Sequence, residues 1–462
     1  MKTNIYLPIE IKRRELNSRI YFAVIAAVNG HKVTLGRKNR FSEFFNKIPP
    51  GNFITKSIGP SNFKLIRELK QLGHKIFFLD EEGLMCFNKE FTHRRITREG
   101  LELLDYFFTW GKNHFSDIKT LFPDFKKKFL VTGNPRFDII KSRAKKFYSN
   151  EVENIKKNYG NFFLLTTKFA KINYVKRESV ESWFNSQLKK GLLRSEETIQ
   201  LCKKSIKHEE KNLKNFFDFI RLFNKSAKDK KLIILVHPGE EISVYENLVR
   251  GMSNVSLASS FSTNSWILAS DLIIQNNCTT SIEAYMMGVQ PIQLNVFKDP
   301  DIEFKIPKIV SNIFDDNQKL INFLINFRKE DFQKKQIYQN NILEIKNYIE
   351  NAIDENSVSL ILDKLFHDEF FCKDYNINSP TLEKLLYKLK MFKRSTFNYI
   401  KDPGSMTLSK QKFPSLTFNE IDNFVRKILE TENYQQDKFK LKEYLPGLFT
   451  LEHDKKAKLN LN

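Results

Sequence analysis

Short apolar runs alternate with amphipathic stretches along the first third of the chain, the pattern of repeated strand–helix units. Asn4–Pro8 reads as a strand and Lys12–Val28 as a helix with Leu16, Ile20, Ala23 and Ala27 on its apolar side. Asn29-Gly30 stops that helix, and His31–Leu35 begins a second strand. Asn52–Lys56, Lys75–Leu79, Tyr106–Thr109 and Lys128–Val131 continue the series, with helices such as Asn62–Leu72 and Asn113–Leu121 between them. A second series starts at Phe162–Thr166, pauses for a charged helical stretch over about 178–228, and resumes with Lys231–Val236, Val255–Ala258, Leu272–Gln275 and Pro291–Leu294. Alternation of this kind predicts parallel sheets covered on both faces.

The expected architecture is therefore α/β, with two Rossmann-like lobes meeting near Ala144–Tyr159. Residues 1–150 form the first lobe, 151–360 the second with its helical insertion, and 361–462 a polar helical tail. The length of 462 residues suits two such cores. A hydrophobic fraction of 41%, with 43 Phe, excludes wholesale disorder. No apolar run is long enough for a membrane-spanning helix, and Met1–Glu15 lacks the uninterrupted apolar core of a secretory signal. Cys86, Cys202, Cys278 and Cys372 are scattered without a C-x-x-C pair, which fits a reducing cytoplasm rather than a disulfide framework.

A net charge of +22 suits a polyanionic partner, but heavy joint use of Asn, Ile, Phe and Lys is also what AT-rich coding produces. Lys384, Lys388, Lys390, Lys393 and Arg394, with Leu385, Leu389 and Phe392, would make a helix suited either to an anionic inner leaflet or to packing on the body. A nucleic-acid role is disfavoured: aromatic and basic residues interleave at Phe125–Phe129 and Lys388–Phe397 without any recognised binding fold.

Ligands of open α/β sheets bind beyond the carboxyl ends of the strands, which singles out four places. His237-Pro238-Gly239-Glu240 follows an all-apolar strand; its imidazole could donate to a phosphate, or the segment could be a plain turn. The loop Gln275–Glu283, containing Asn277, Thr279, Thr280 and Ser281, leads from strand into helix. It is either a phosphate and ribose site or a Thr280-x-x-Glu283 capping box. Asp80-Glu81-Glu82-Gly83 clusters three carboxylates, whose mutual repulsion would suit a base or nucleophile, or else forms an exposed acidic loop. Gly133-Asn134-Pro135-Arg136-Phe137-Asp138 is a weaker loop-to-helix turn. No dinucleotide or P-loop glycine signature and no zinc-ligand spacing occurs.

Taken in order, these segments, with Leu7-Pro8-Ile9-Glu10, Arg14-Glu15-Leu16, Gly30-His31-Lys32-Val33 and Leu35-Gly36, resemble bacterial surface carbohydrate biosynthesis proteins, distantly related to capsule and O-antigen β-Kdo transferases. The resemblance spans about residues 4–300. It implies a GT-B glycosyltransferase whose second lobe holds a CMP-activated Kdo-like or nonulosonic sugar and whose first lobe holds a glycan or lipid-linked acceptor, at the inner face of the cytoplasmic membrane. His237, Pro238 and Gly239 would contact the nucleotide, and Asn277, Thr279, Thr280, Ser281 and Glu283 would complete the donor site. Glu82 matches the family's acidic residue best, with Glu81 and Glu10 as the other catalytic candidates; the sequence has Glu-Glu-Gly where the capsule enzymes would have Glu-Asp-Gly.

A leaving CMP needs neutral donors or an imidazole rather than a metal-bound diphosphate, so neither metal nor cofactor is expected beyond the donor itself. The only D-x-D, Asp299-Pro300-Asp301, lies away from its nearest strand. Arg14, Lys168 and Lys171 are candidates for the sugar carboxylate, and Asn134 and Arg136 for further substrate contacts. Transfer of a polyol phosphate from a CDP donor is the competing enzyme reading; it would call for a second catalytic histidine in the first lobe. A sugar-nucleotide epimerase is a third.

Overall fold

The computed structural model describes residues 3–84, 95–141, 144–175, 179–189, 193, 195–259, 261–328, 341–353, 356–366 and 412–453. The first lobe is built on β1 (Asn4–Ile9), β2 (Lys32–Arg37), β3 (Asn52–Thr55), β4 (Lys75–Leu79), β5 (Tyr106–Thr109) and β6 (Phe129–Val131), all parallel. The second uses β7 (Phe163–Thr166), β8 (Leu232–Leu235), β9 (Val255–Leu257), β10 (Leu272–Gln275), β11 (Gln290–Leu294) and β12 (Asn312–Phe314), parallel in the order β12-β11-β10-β7-β8-β9. The expected α/β class with two Rossmann-like lobes is the observed one. Every residue of β1, β7, β8, β10 and β11 is buried, as helices on both faces of a parallel sheet require.

The Lys12–Val28 helix is buried almost all round from Glu15 to Ala27, because it packs under the first sheet and against a helix from far down the chain, Phe418–Thr431. It ends where Gly30 takes φ +89° and the Gly30 and His31 N–H groups donate back to Ala27 and Ala26 carbonyls. Phe418–Thr431 buries Ile421, Val425, Ile428 and Leu429, one stripe at helical spacing, and its first turn is capped by Thr417.

The tail departs from the helical expectation. After that helix come β13 (Phe439–Leu445) and β14 (Leu448–His453), a hairpin that adds antiparallel to β2 and completes an eight-stranded sheet, β13-β14-β2-β1-β3-β4-β5-β6. The outer strand alternates half-buried and exposed residues, with Lys440, Lys442 and Glu443 among them, so only one face carries apolar signal and the segment reads as polar. The basic stretch 384–394 lies outside the described residues. Among those described, no helix is long and apolar enough to cross a membrane.

Two further segments sit differently from their place in the sequence. The 31-residue helix Glu196–Ser226, read as part of an insertion, buries Phe216, Phe219, Ile220 and Phe223 in the core of the second sheet, so its end is the crossover helix between β7 and β8. Residues 341–353 and 356–366, grouped by sequence with the second lobe as far as 360 and with the tail beyond it, return to the first lobe: Glu350 N–H donates to the Trp110 carbonyl at 2.7 Å and Phe366 N–H to Asn52 at 3.1 Å. Asp138 accepts from Ser357 and Val358 N–H, capping the Ser357–Leu362 helix, and from Asn351 at 2.6 Å. Asn351 in turn lies against Gly133, where a Cβ would come within 2.1 Å of its Oδ1.

Gly133 also has φ +75°, so Gly133→Ala is expected to destabilise the protein by more than the roughly 1 kcal/mol of a strained backbone alone. A melting temperature lowered by several degrees is the expected result; an unchanged one would show that residues 341–366 do not press on this turn.

Candidate active site

Three loops leave the carboxyl ends of the adjacent strands β10, β7 and β8 and are tied into one surface. After β8, the His237 N–H donates to Thr167 Oγ1 at 2.9 Å, and that hydroxyl donates on to Glu240 at 2.9 Å. Glu240 is buried and also accepts from the Phe169 N–H and the Tyr245 hydroxyl, so the loop after β7 is held against the loop after β8. Burial pushes the Glu240 carboxyl up to about 7, against the pull of its hydrogen bonds. The Gly239 N–H donates to His237 Nδ1 at 3.1 Å. That fixes the tautomer: the proton is on Nε2, which has no partner among the described residues, and the residue is exposed. Although the ring has an open edge, the protein around it and the nearby charges of Arg14 and Lys412 push its pKa down to about 4, so it is a neutral N–H donor at pH 7.

The loop after β10 is drawn in by Asn277, which takes φ +46° and exchanges two hydrogen bonds with the Phe304 backbone, at 2.8 and 2.6 Å. Its carbonyl accepts from Lys168 Nζ at 3.0 Å, and that ammonium lies over the Phe304 ring. Burial lowers the Lys168 pKa. Cys278, Thr279 and Thr280 are half-exposed, while Ser281 is buried and donates to the Cys278 carbonyl. The Thr280-x-x-Glu283 capping box does not form: the helix Thr280–Met286 has no side-chain cap, and Glu283 pairs instead with Arg136 of the first lobe. Lys171 is occupied by Glu209 and Ser205, and Asp299 and Asp301 by Lys204.

In the first lobe a pocket of about 240 Å³ opens beyond the carboxyl ends of β1, β3 and β4, lined by Glu10, Lys56, Ser57, Gly59, Phe78, Asp80, Glu81, Glu82 and Arg95. Each of the three clustered carboxylates has a guanidinium beside it. Asp80 is buried against Arg95, Glu81 is turned inward to Arg19 at 2.7 Å, and Glu82 stays at the rim, 42% exposed and 3.4 Å from Arg95. Their mutual repulsion, the basis on which they were singled out, is offset by one guanidinium or another for each. Glu10, 38% exposed, sits among Lys56, Lys38 and Lys412 at 3.6–3.9 Å; burial would raise its carboxyl, but the three lysines outweigh that and lower it. Behind it Glu15 is buried, with Lys56 at 2.6 Å and Arg14 at 3.1 Å. Burial again opposes, and the two cations hold Glu15 down at about 2.

Asn134 and Arg136 lie at the join between lobes rather than on open surface. Asn134 is buried, donates to the Asp80 carbonyl at 3.2 Å and caps Arg136 N–H. Arg136 pairs with Glu283, lies 4.0 Å from Glu81 and stacks over Trp110. The structure thus brings His237, Pro238, Gly239 and Lys168 together in the second lobe, and Glu10, Arg14 and Glu82 in the first. Lys38, Lys56 and Arg95 were not singled out from sequence, and Glu240 was named only as the last residue of the turn after β8. Lys56 directly follows β3 and could have been found by its strand-end position; Lys412 comes from the tail and carried no such signal.

No family model matches the chain, and no curated protein matches it. Among solved structures it is similar to the UDP-GlcNAc 2-epimerase of Methanocaldococcus jannaschii in complex with UDP-GlcNAc and UDP, at 14% identity and TM-score 0.42 over 75% of this chain and 100% of that one. It is similar to UDP-GlcNAc 2-epimerase from Neisseria meningitidis, bound to UDP-GlcNAc, at 13% identity and TM-score 0.46 over 79% and 99%. The wall teichoic acid polymerase TagF matches at 10% identity and TM-score 0.49 over 78% and 87%. Nothing about donor, acceptor or the roles of residues follows from likenesses this distant.

Two outcomes are expected from this geometry. Arg136→Ala leaves Glu283 buried without its partner and should cost about 3–5 kcal/mol, read by denaturant unfolding. Glu240 is raised in the folded state, so it retains a proton that the unfolded chain gives up, and stability falls as pH rises from the ordinary carboxyl range through about 7. Glu240→Gln should flatten that fall; an unchanged pH profile of melting temperature would show that Glu240 is ionised in the fold throughout.

Proposed function

We propose that the protein is a glycosyltransferase of bacterial surface polysaccharide synthesis, moving a Kdo-like or nonulosonic sugar from a CMP-activated donor to a glycan acceptor. The observation that supports this most is the His237 tautomer: with Nδ1 spent on the Gly239 N–H, a neutral Nε2–H is left exposed just beyond the end of β8. Such a donor stabilises charge building on a leaving phosphate without a metal and without itself needing to be protonated. Thr279 and Thr280 are half-exposed on the loop after β10, Thr280 sharing a hydrogen bond with Thr166, and their hydroxyls are assigned to the same nucleotide.

Across the cleft, Glu82 is the carboxylate assigned to the chemistry. Glu81 is locked to Arg19 and acts through position alone, and the lysines around Glu10 depress its basicity. In this reading the acceptor oxygen attacks the anomeric carbon and the C–O bond to phosphate breaks with its electron pair leaving on the nucleotide. The hydroxyl proton passes to Glu82. Where configuration is retained, Glu82 attacks first and the acceptor displaces it.

A panel of CMP, CDP and UDP, without added metal, tests the donor. CMP or CDP should raise the melting temperature, and His237→Ala should remove the shift; stabilisation by UDP alone, with His237→Ala responding normally, defeats the reading. Glu82→Gln should retain the nucleotide shift while turnover falls by about 10²–10⁴-fold, measured as nucleotide release. Near-normal turnover moves the assignment to Glu10.

A further inference from the structure

Lys38 and Lys412 converge on the Glu10 carboxylate from two different parts of the chain, at 3.8 and 3.9 Å. Neither makes a hydrogen bond among the described residues, and at these distances neither donates to Glu10. Lys56 stands 3.6 Å from the same carboxylate but spends a hydrogen bond on Glu15. Arg14, bonded to Glu15 through one terminal nitrogen, keeps a buried Nε with no partner. Four cations therefore gather beside Glu10 and Glu15, Arg14 also feeling Glu81 and Glu82, and the ammonium donors of Lys38 and Lys412 are unused. Buried or half-buried charge of one sign in excess is costly unless something neutralises it. The same cations reach His237, whose imidazole is depressed first by burial and then by Arg14 and Lys412.

We infer that Lys38, Lys412 and Arg14, backed by Lys56, form a binding site for an oxyanion of the substrate, a carboxylate or a phosphate, separate from the nucleotide phosphate at His237. An oxyanion seated between the two lysines would take their free donors at hydrogen-bond distance and neutralise the surplus. The site gives the C-terminal segment a task. Lys412 is set in place by its neighbours: Phe413 is buried under the Arg37 guanidinium, and Lys12 clamps the following turn through the Ser415 carbonyl at 2.5 Å and Glu420 at 2.6 Å. Residues more than 350 positions apart in the chain thus meet at one carboxylate, Glu10, which lines the pocket.

The inference rests on the reading of this cleft as a transferase site, and the test separates the two. Melting temperatures of the full chain are measured with glycerol phosphate, pyruvate or chloride at equal ionic strength. Glycerol phosphate or pyruvate should stabilise the wild type over chloride. Lys412→Ala and Lys38→Ala should each abolish the shift, whereas Lys412→Arg and His237→Ala retain it. A response to pyruvate alone identifies the carboxylate of an acidic sugar as the source; a response to glycerol phosphate alone identifies a phosphate on the acceptor. No anion-specific shift in the wild type, or a shift that survives Lys412→Ala and is lost in His237→Ala, overturns the site. The CMP response of Lys412→Ala reports on the donor reading independently, since the nucleotide shift should persist there.

Discussion

A guanidinium held between two carboxylates at the meeting of the lobes governs much of the rest. Arg136 pairs with Glu283 from the second lobe and lies 4.0 Å from Glu81 in the first, with every one of these side chains nearly shut off from water. Stripping such charges of water costs several kcal/mol each, which only close pairing returns, so none can be left alone without penalty. Glu81 is shared further with Arg19, and the loop carrying Arg136 is fixed by Asn134 to the Asp80 carbonyl. The position of one lobe on the other, and with it the span between His237 and the first-lobe pocket, is set by this chain of buried pairs together with the hydrophobic cluster that runs through both lobes.

The same principle sorts the strand-end carboxylates into structural and chemical ones. Asp80, Glu81 and Glu15 have each been given a close cation and turned inward. Glu82 and Glu10 stay partly in water, and under the proposed function they are the ones left to meet a substrate. A site assembled this way is held in shape before any ligand arrives, the condition under which fixed dipoles and charges stabilise a transition state most.

Much of this was legible in the amino-acid pattern. Eleven strands stand where short apolar runs predict them, because a strand buried on both faces writes a continuous apolar signal. The strand-end rule also led to His237 and Glu82, which stand just beyond the ends of β8 and β4. What the pattern could not carry was pairing at a distance. Glu81 and Glu82 are the same residue type one step apart, and only the folded backbone decides which meets Arg19. Thr280-x-x-Glu283 has the letters of a capping box, yet a cation from 147 residues earlier takes the glutamate. The hairpin β13–β14 was missed because its outer strand shows apolar residues to one side alone, and Lys412 because nothing near it in sequence marks a site.

The hairpin has a bearing on how the molecule is made. The second sheet comes from one continuous stretch, Phe163 to Phe314, so all of its strands have left the ribosome while more than a hundred residues remain to be translated. The first sheet, though begun earlier, waits: β2 keeps a bare edge until β14 has emerged. A nascent chain in that interval exposes a strand able to pair with a neighbour, the ordinary route to misassembly on crowded polysomes. The half started first is thus finished last, and chaperone demand during synthesis should centre on the β2 edge.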